Sequence, residues 1–135
     1  MREEWLILLH PNNFKLESTT VWSFPDRGSW ATHSGEYRGN WSPYVPRNLI
    51  LRYSNPGEWI LDQFMGSGTT LVEAKLLRRN AVGIDINPQA VSISARNLQF
   101  QCQSNSKIFM RNGSATELHF IKDNHIDFIC THPPY

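Results

Sequence analysis

Short apolar runs and longer segments with apolar residues at helical spacing alternate through the second part of the chain. The apolar run 59–61 predicts a buried strand, and the segment that starts at Thr69 predicts a helix. Residues 81–86 predict the next strand. Asn87 then has the chemistry of a helix cap, and Pro88 suits the first position of the helix that follows.

Two more strands are predicted at residues 107–110 and 125–130, with a short turn of helix at 115–118 between them. Strands that alternate with helices in this way are typical of an α/β protein. We therefore predict a parallel sheet with helices on both faces in residues 55–135, and a ligand crevice at the carboxyl ends of its strands.

Residues 1–54 have no such alternation. They are rich in aromatic residues such as Trp30 and Trp41, which lie among glycine, proline and serine. Pro46 predicts the first position of one short helix, which ends before a turn at 54–57. We predict that this N-terminal segment covers the sheet.

Composition narrows the class of protein further. The 135 residues carry 13 Lys and Arg against 12 Asp and Glu, a net charge of +1, so a dense basic surface for nucleic-acid phosphates is not expected here. Apolar runs are far shorter than the roughly 20 residues that span a bilayer. We expect a cytoplasmic protein without membrane contact. Cys102 and Cys130 lack metal-ligand spacing and are expected to be buried free thiols.

The sharpest local motif is DQFMGSGTT at residues 62–70, where the first strand ends and a helix begins. Gly66 and Gly68 would let the backbone approach a ligand, and the helix start would offer free amide donors. A tight turn that needs glycines for its own geometry explains them equally well. A nucleotide P-loop is excluded because Thr69 stands where that motif has lysine.

Asp85 follows at the end of the second predicted strand. An acidic side chain at this point of a doubly wound sheet can accept both hydroxyls of a ribose. The alternative role is that of a helix cap. Because Asn87 already suits the cap position, we predict that Asp85 is free for a ligand.

Three segments together resemble the S-adenosylmethionine-dependent DNA amino-methyltransferases: FMGSGTT after the first strand, GIDINP at the second and PPY after the fourth. The resemblance extends over about residues 22–135. It implies a Rossmann-like class I methyltransferase fold, here incomplete at the C-terminal side, that methylates an exocyclic amine of adenine or cytosine in DNA. It also implies S-adenosylmethionine as cofactor, contacted by Asp62, Phe64, Gly66, Gly68, Thr69, Thr70 and Asp85.

Two further cofactor contacts follow from the resemblance. Ser114 stands where the family has an acidic residue near the adenine amine; with Glu117 it also matches a helix capping box, which is the favoured interpretation of the two. The helix after Pro46 and the loops before it would cover the methionine end, with Arg47 as partner of the cofactor carboxylate. Packing of an aromatic cover on the sheet is the alternative for that segment.

The resemblance assigns catalysis to His132, Pro133, Pro134 and Tyr135. In the family, a side-chain oxygen at the first position and the carbonyl of the first proline accept the two amine hydrogens. The aromatic residue stacks on the flipped base. Here the first position is histidine instead of Asp, Asn or Ser. A neutral imidazole can accept one hydrogen bond but loses that capacity when protonated. A plain loop is the alternative for the two prolines.

The order of the family's segments places the DNA-recognition region after Tyr135, so that DNA would be bound through regions missing from this chain. The fourth strand would then have an unpaired apolar edge, which favours self-association or a second polypeptide that completes the sheet. Two other functions stay open: a non-catalytic module that only binds the cofactor, for which His132 is the best support, and an RNA methyltransferase.

Overall fold

The computed structural model describes residues 8–134, so Tyr135 lies outside the described residues. This part of the chain contains three α-helices and four β-strands. In chain order they are α1 (Tyr44–Tyr53), β1 (Trp59–Asp62), α2 (Thr69–Leu76), β2 (Asn80–Asp85), α3 (Pro88–Asn97), β3 (Ile108–Asn112) and β4 (Phe128–Ile129). Among the described helices, none has the length and apolar character needed to cross a membrane.

The four strands form one parallel sheet in the order β3-β2-β1-β4. Asp62 at the end of β1 pairs with Gly83, and Asp85 at the end of β2 pairs with Asn112. The predicted α/β class and parallel sheet are therefore confirmed. Because parallel strands end at one edge, the two acidic residues and the loops that follow them meet there.

The two faces of the sheet are covered differently. Ile60 and Ala81 point to the core that contains residues of α2, whereas their neighbours Leu61 and Val82 point to a second, smaller cluster. Helices α1 and α2 pack together, and α2 and α3 lie against the strands. We predicted helices on both faces; among the described residues the second face is instead covered from the connection between β3 and β4, by Leu118, Phe120, Ile121 and Ile126.

Some predicted boundaries were wrong. Helix α1 begins at Tyr44, two residues before Pro46, which is tolerated because amides of the first helical turn need no acceptor within the helix. The helical turn predicted at 115–118 is a non-helical turn. Strand β4 has two residues rather than six. Both cysteines are free thiols as predicted, but only Cys130 is fully buried, and Cys102 is half-buried.

Gly83 in β2 is required by close packing of the glycine turn on the sheet. An added Cβ would lie 2.4 Å from Met65 Sδ and 2.5 Å from Leu71 Cδ1. We expect Gly83→Ala to lower the free energy of unfolding by about 1–3 kcal/mol, measured by urea denaturation. Gly113→Ala is the control, because its added Cβ would only touch Ile84 Cγ2 at 4.0 Å. Equal losses in the two variants would contradict this explanation.

Candidate active-site cleft

A cleft of about 350 Å³ opens at the carboxyl ends of β1 and β2. Its floor comes from the glycine turn after β1, and its walls come from the N-terminal segment, the end of β2 and the residues after β4. This volume lies within the range of ordinary small-molecule sites. The lining residues are Tyr37, Arg38, Gly39, Asn40, Trp41, Asp62, Gln63, Phe64, Met65, Gly66, Thr69, Asp85, Ile86, Ser114, Ala115, Thr116, His132 and Pro134.

The two glycines of the turn are needed for its backbone geometry and for the close approach of neighbouring side chains to its backbone. Gly66 has φ 55° and Gly68 has φ 87°, in the left-handed region that favours glycine. A Cβ on Gly66 would lie 3.1 Å from the ring of Tyr37 in the cover, and one on Gly68 would lie 3.0 Å from Ser94 Oγ in α3. Gly66 therefore borders the cleft, whereas Gly68 faces α3. Thr70 is fully buried and, like Gly68, is not part of the lining.

Asp85, at the end of the adjacent strand β2, is hydrogen-bonded to the glycine turn. Its Oδ2 accepts a hydrogen bond from the Gly66 amide at 2.9 Å, and its Oδ1 accepts one from the Asn87 amide at 2.9 Å. Asp85 thus has two backbone partners that the sequence did not indicate, because the end of β2 lies against the glycine turn. Asn87 caps α3 as predicted, accepting from the Gln89 amide at 3.0 Å. Each carboxylate oxygen of Asp85 retains a second lone pair for a ligand in the cleft.

Asp62 is a buried carboxyl at the floor of the cleft, with 2% of its surface exposed. Burial raises its pKa above the ordinary value, and the negative charge of Asp85 acts in the same direction. Hydrogen bonds from the Phe64 amide at 3.0 Å and the Thr131 hydroxyl at 2.7 Å oppose that rise. A cationic group bound in the cleft would stabilise the ionised form of Asp62 against this cost of burial.

The residues after β4 reach the cleft through Thr131. Its hydroxyl bond to Asp62 ties the end of β4 to the end of β1. The ring of His132 then stacks on Trp41 of the N-terminal segment, with centroids 5.2 Å apart and planes 6° apart. Pro134 also lines the cleft, while Pro133 is exposed and not in the lining. The sequence offered no signal for the role of Thr131.

Arg47 does not reach the cleft. Its guanidinium is buried and donates from Nη1 to Glu73 Oε1 at 2.8 Å, and Nη2 lies 2.7 Å from His10 Nδ1. The other carboxylate oxygen of Glu73 accepts from Trp30 Nε1 at 2.8 Å and lies 2.7 Å from His33 Nε2. The structure thus corrects the assignment of Arg47 to a cofactor carboxylate, because a fully buried glutamate on α2 pairs with it instead.

Ser114 lies on the cleft wall beside Ala115 and Thr116. Its hydroxyl accepts from the Thr116 amide at 3.2 Å and lies 2.8 Å from the Thr116 hydroxyl. The predicted capping box is wrong, because no helix follows; Glu117 instead donates its backbone amide to the Ser114 carbonyl at 3.1 Å. The Ser114 side chain is therefore part of a turn at the cleft.

Residues 37–39 form a wall of the cleft that sequence reasoning missed. The neighbouring Asn40 and Trp41 were expected in the cover, and Asn40 Nδ2 donates to Ser67 Oγ in the glycine turn at 3.0 Å. Arg38 is the arginine that lines the cleft, in place of Arg47. The segment has no regular secondary structure, so no periodicity in the sequence could have placed it.

Comparisons with known proteins agree with this architecture. Residues 3–96 match the family described as DNA methylase. The type II methyltransferase M.MjaII of Methanocaldococcus jannaschii is 39% identical over 75 residues, which are 55% of this chain and 14% of that protein. The type II methyltransferase M.BglI of Bacillus subtilis is 33% identical over 111 residues, 76% of this chain and 32% of that protein. An rRNA methylase from Streptococcus thermophilus superposes with a TM-score of 0.54 at 14% identity, over 65% of this chain and 48% of that chain.

A parallel sheet with a glycine turn and a cleft at the carboxyl ends of its strands defines the class: the fold is that of the class I methyltransferases. The match over residues 3–96 identifies the family within this class: the chain belongs to the DNA methylase family. The resemblance found in the sequence is therefore confirmed. The chain spans 14% and 32% of the lengths of the two type II methyltransferases.

Proposed function

We propose that this chain binds S-adenosylmethionine and forms the cofactor half of an enzyme that methylates an exocyclic amine of adenine or cytosine in DNA. One observation carries the proposal: a single cleft is lined by the glycine turn, by Asp85 and by His132 of the HPPY segment. In a methyl-transfer enzyme the methyl donor and the methyl acceptor must meet in one site. Here the glycine turn and Asp85 would contact the donor, and the HPPY segment would contact the acceptor.

The cofactor fits the chemistry of the cleft residues. Asp85 offers acceptor oxygens to the ribose hydroxyls, and Gly66 leaves room beside the turn where a side chain would meet Tyr37. The buried Asp62 would pair with the ammonium group of the methionine part, because a buried carboxylate is costly without a cationic neighbour. Phe64, Thr69 and Ser114 add the remaining walls. When bound, the cofactor supplies an electrophilic methyl group on a sulfonium.

Arg38 takes the role that the sequence suggested for Arg47, as partner of the cofactor carboxylate. It is exposed and lines the cleft, so the ion pair would form in a solvent-accessible position. We expect Arg38→Ala to weaken binding of S-adenosylhomocysteine by about two- to fivefold, measured by calorimetry. Arg111→Ala removes the same charge from an exposed residue outside the cleft and should not change the affinity. Equal affinities for the two variants would remove Arg38 from the site.

Catalysis would rest on the segment after β4. The Pro133 carbonyl and a ring nitrogen of His132 would accept the two hydrogens of the target amine, and Tyr135 would stack on the flipped base. This arrangement directs the nitrogen lone pair toward the methyl group without a covalent enzyme intermediate. The competing function is a module that binds the cofactor without catalysis, and the observation that favours it is the histidine at the first position.

DNA binding and catalysis are proposed to need a second part of the enzyme. Strand β4 lies at the edge of the sheet, and Ile129 on it is 54% exposed. Such an edge can pair with further strands, from a second polypeptide or from another copy of this chain. We therefore expect the chain alone to self-associate and to bind the cofactor without methylating DNA.

Methyl transfer from radiolabelled S-adenosylmethionine to DNA tests this proposal. The chain is assayed alone and after co-expression with the reading frame that follows it, with RNA as a parallel substrate. Activity on DNA only after co-expression is the expected result, with light scattering reporting oligomers of the isolated chain. Cofactor binding without transfer under either condition would favour the non-catalytic module, and transfer to RNA alone would redirect the substrate.

A further inference from the structure

We propose that Trp41 is a positioning residue, which fixes the imidazole plane of His132 for the methyl-transfer step. This inference rests on the proposed function. The two side chains are 91 residues apart in the sequence, yet their rings are stacked, with planes 6° from parallel and centroids 5.2 Å apart. Both rings line the candidate cleft, one from the N-terminal segment and one from the segment after β4.

A histidine at this position needs such a support more than a shorter side chain does. An imidazole accepts a hydrogen bond only in the plane of its ring, along the lone pair of the unprotonated nitrogen. A rotation of the ring therefore swings the acceptor away from the target amine. The indole covers one ring face of His132 and limits that rotation, so that the ring edge keeps one direction within the cleft.

The backbone of Trp41 is anchored by a partly buried hydrogen-bond network. Arg27 donates from Nη2 to the Trp41 carbonyl at 2.8 Å, and the same guanidinium hydrogen-bonds the side chain and carbonyl of Asn40. Ser42 in turn donates its hydroxyl to the Arg27 carbonyl at 2.6 Å. Asn40 Nδ2 extends this network by donating to Ser67 Oγ in the glycine turn at 3.0 Å. The backbone that carries the indole is thus held relative to the floor of the cleft.

The His132 side is anchored as well. The preceding residue, Thr131, donates its hydroxyl to the buried Asp62 at 2.7 Å. The backbone segments that carry the two rings are therefore both held at the end of β1 and the glycine turn after it, one through Asn40 and the other through Thr131. This arrangement would hold the acceptor in register with a cofactor bound on that turn, which is the requirement for a well-oriented transfer.

The ring contact itself is measured by NMR on the chain with isotope-labelled histidine. The His132 signals, identified by their loss in His132→Asn, should lie upfield of those of an unstacked imidazole because of the indole ring current. Trp41→Leu should abolish that displacement, and Trp41→Phe should retain part of it. Trp22→Leu, the same change at a tryptophan that packs on Phe24, is the control and should leave it unchanged. Unchanged His132 signals in Trp41→Leu would overturn the contact.

The positioning role is measured by a double-mutant cycle in the co-expressed enzyme. We expect Trp41→Leu to lower kcat by about ten- to hundredfold when His132 is present. In the His132→Asn background the same change should cost less than about twofold, because a shorter side chain no longer depends on the indole. Equal losses in the two backgrounds would overturn the inference, since Trp41 would then act without His132. Absence of transfer in every variant, the parent enzyme included, would overturn the proposed function and this role with it.

Discussion

Replacing Asp85 by alanine should lower the affinity for S-adenosylhomocysteine at least about tenfold, because two hydrogen bonds from a ribose to a charged acceptor are lost. The structure adds a second reason. Asp85 also accepts from the Gly66 amide, so the variant releases the turn that forms the floor of the cleft. Calorimetric titration of the purified chain measures the effect directly.

Asp127→Ala is a matched control for this experiment. Asp127 also accepts a hydrogen bond from a backbone amide, that of Trp59 at 2.8 Å, but it lies at the opposite ends of the strands. Its removal should leave the cofactor affinity unchanged. Unaltered binding in Asp85→Ala would eliminate the assigned site. Tighter binding of NAD than of S-adenosylhomocysteine to the parent chain would instead assign the cleft to a dinucleotide.

Loss of the Glu73 carboxylate should have the largest effect on stability. Glu73 is fully buried and faces three donors or titratable groups, on Trp30, His33 and Arg47. Glu73→Ala leaves the Arg47 charge buried without its carboxylate partner. The expected loss in the free energy of unfolding is about 3–5 kcal/mol, measured by urea denaturation.

Two further variants separate this cause from a general sensitivity of the fold. Glu117→Ala removes an exposed carboxylate and should change the stability by less than about 0.5 kcal/mol. Adding Arg47→Met to Glu73→Ala removes the buried unpaired charge and should restore part of the loss. A double variant no more stable than Glu73→Ala would show that the unpaired charge is not what destabilises the fold.

The local chemistry of the sequence determined the α/β class and the main elements of the sheet. Asn87 caps α3, and Pro88 occupies its first position. Both features are local, because the cap bonds an amide two residues on and the proline ring fixes its own backbone angle. Short apolar runs predicted four parallel strands because such runs, bounded by turn residues and alternating with helical segments, are typical of strands in an α/β sheet. The glycine turn and the segments around Asp85 and His132 also carried the family, since they are contiguous motifs.

Only the tertiary structure decided which side chains meet. Arg47 matched a ligand role by its place before the sheet, but the pairing with Glu73 depends on how α1 packs on α2. The hydrogen bond from the Gly66 amide to Asp85 was not expected, because the sequence does not show that the end of β2 lies against that turn. The walls of the cleft at Arg38 and Trp41 come from a segment without regular structure, and the stack on His132 joins residues 91 apart. Hydrophobic periodicity shows which face of a segment is buried, but it does not show which distant segment packs against that face. The contacts between these side chains depend on that packing.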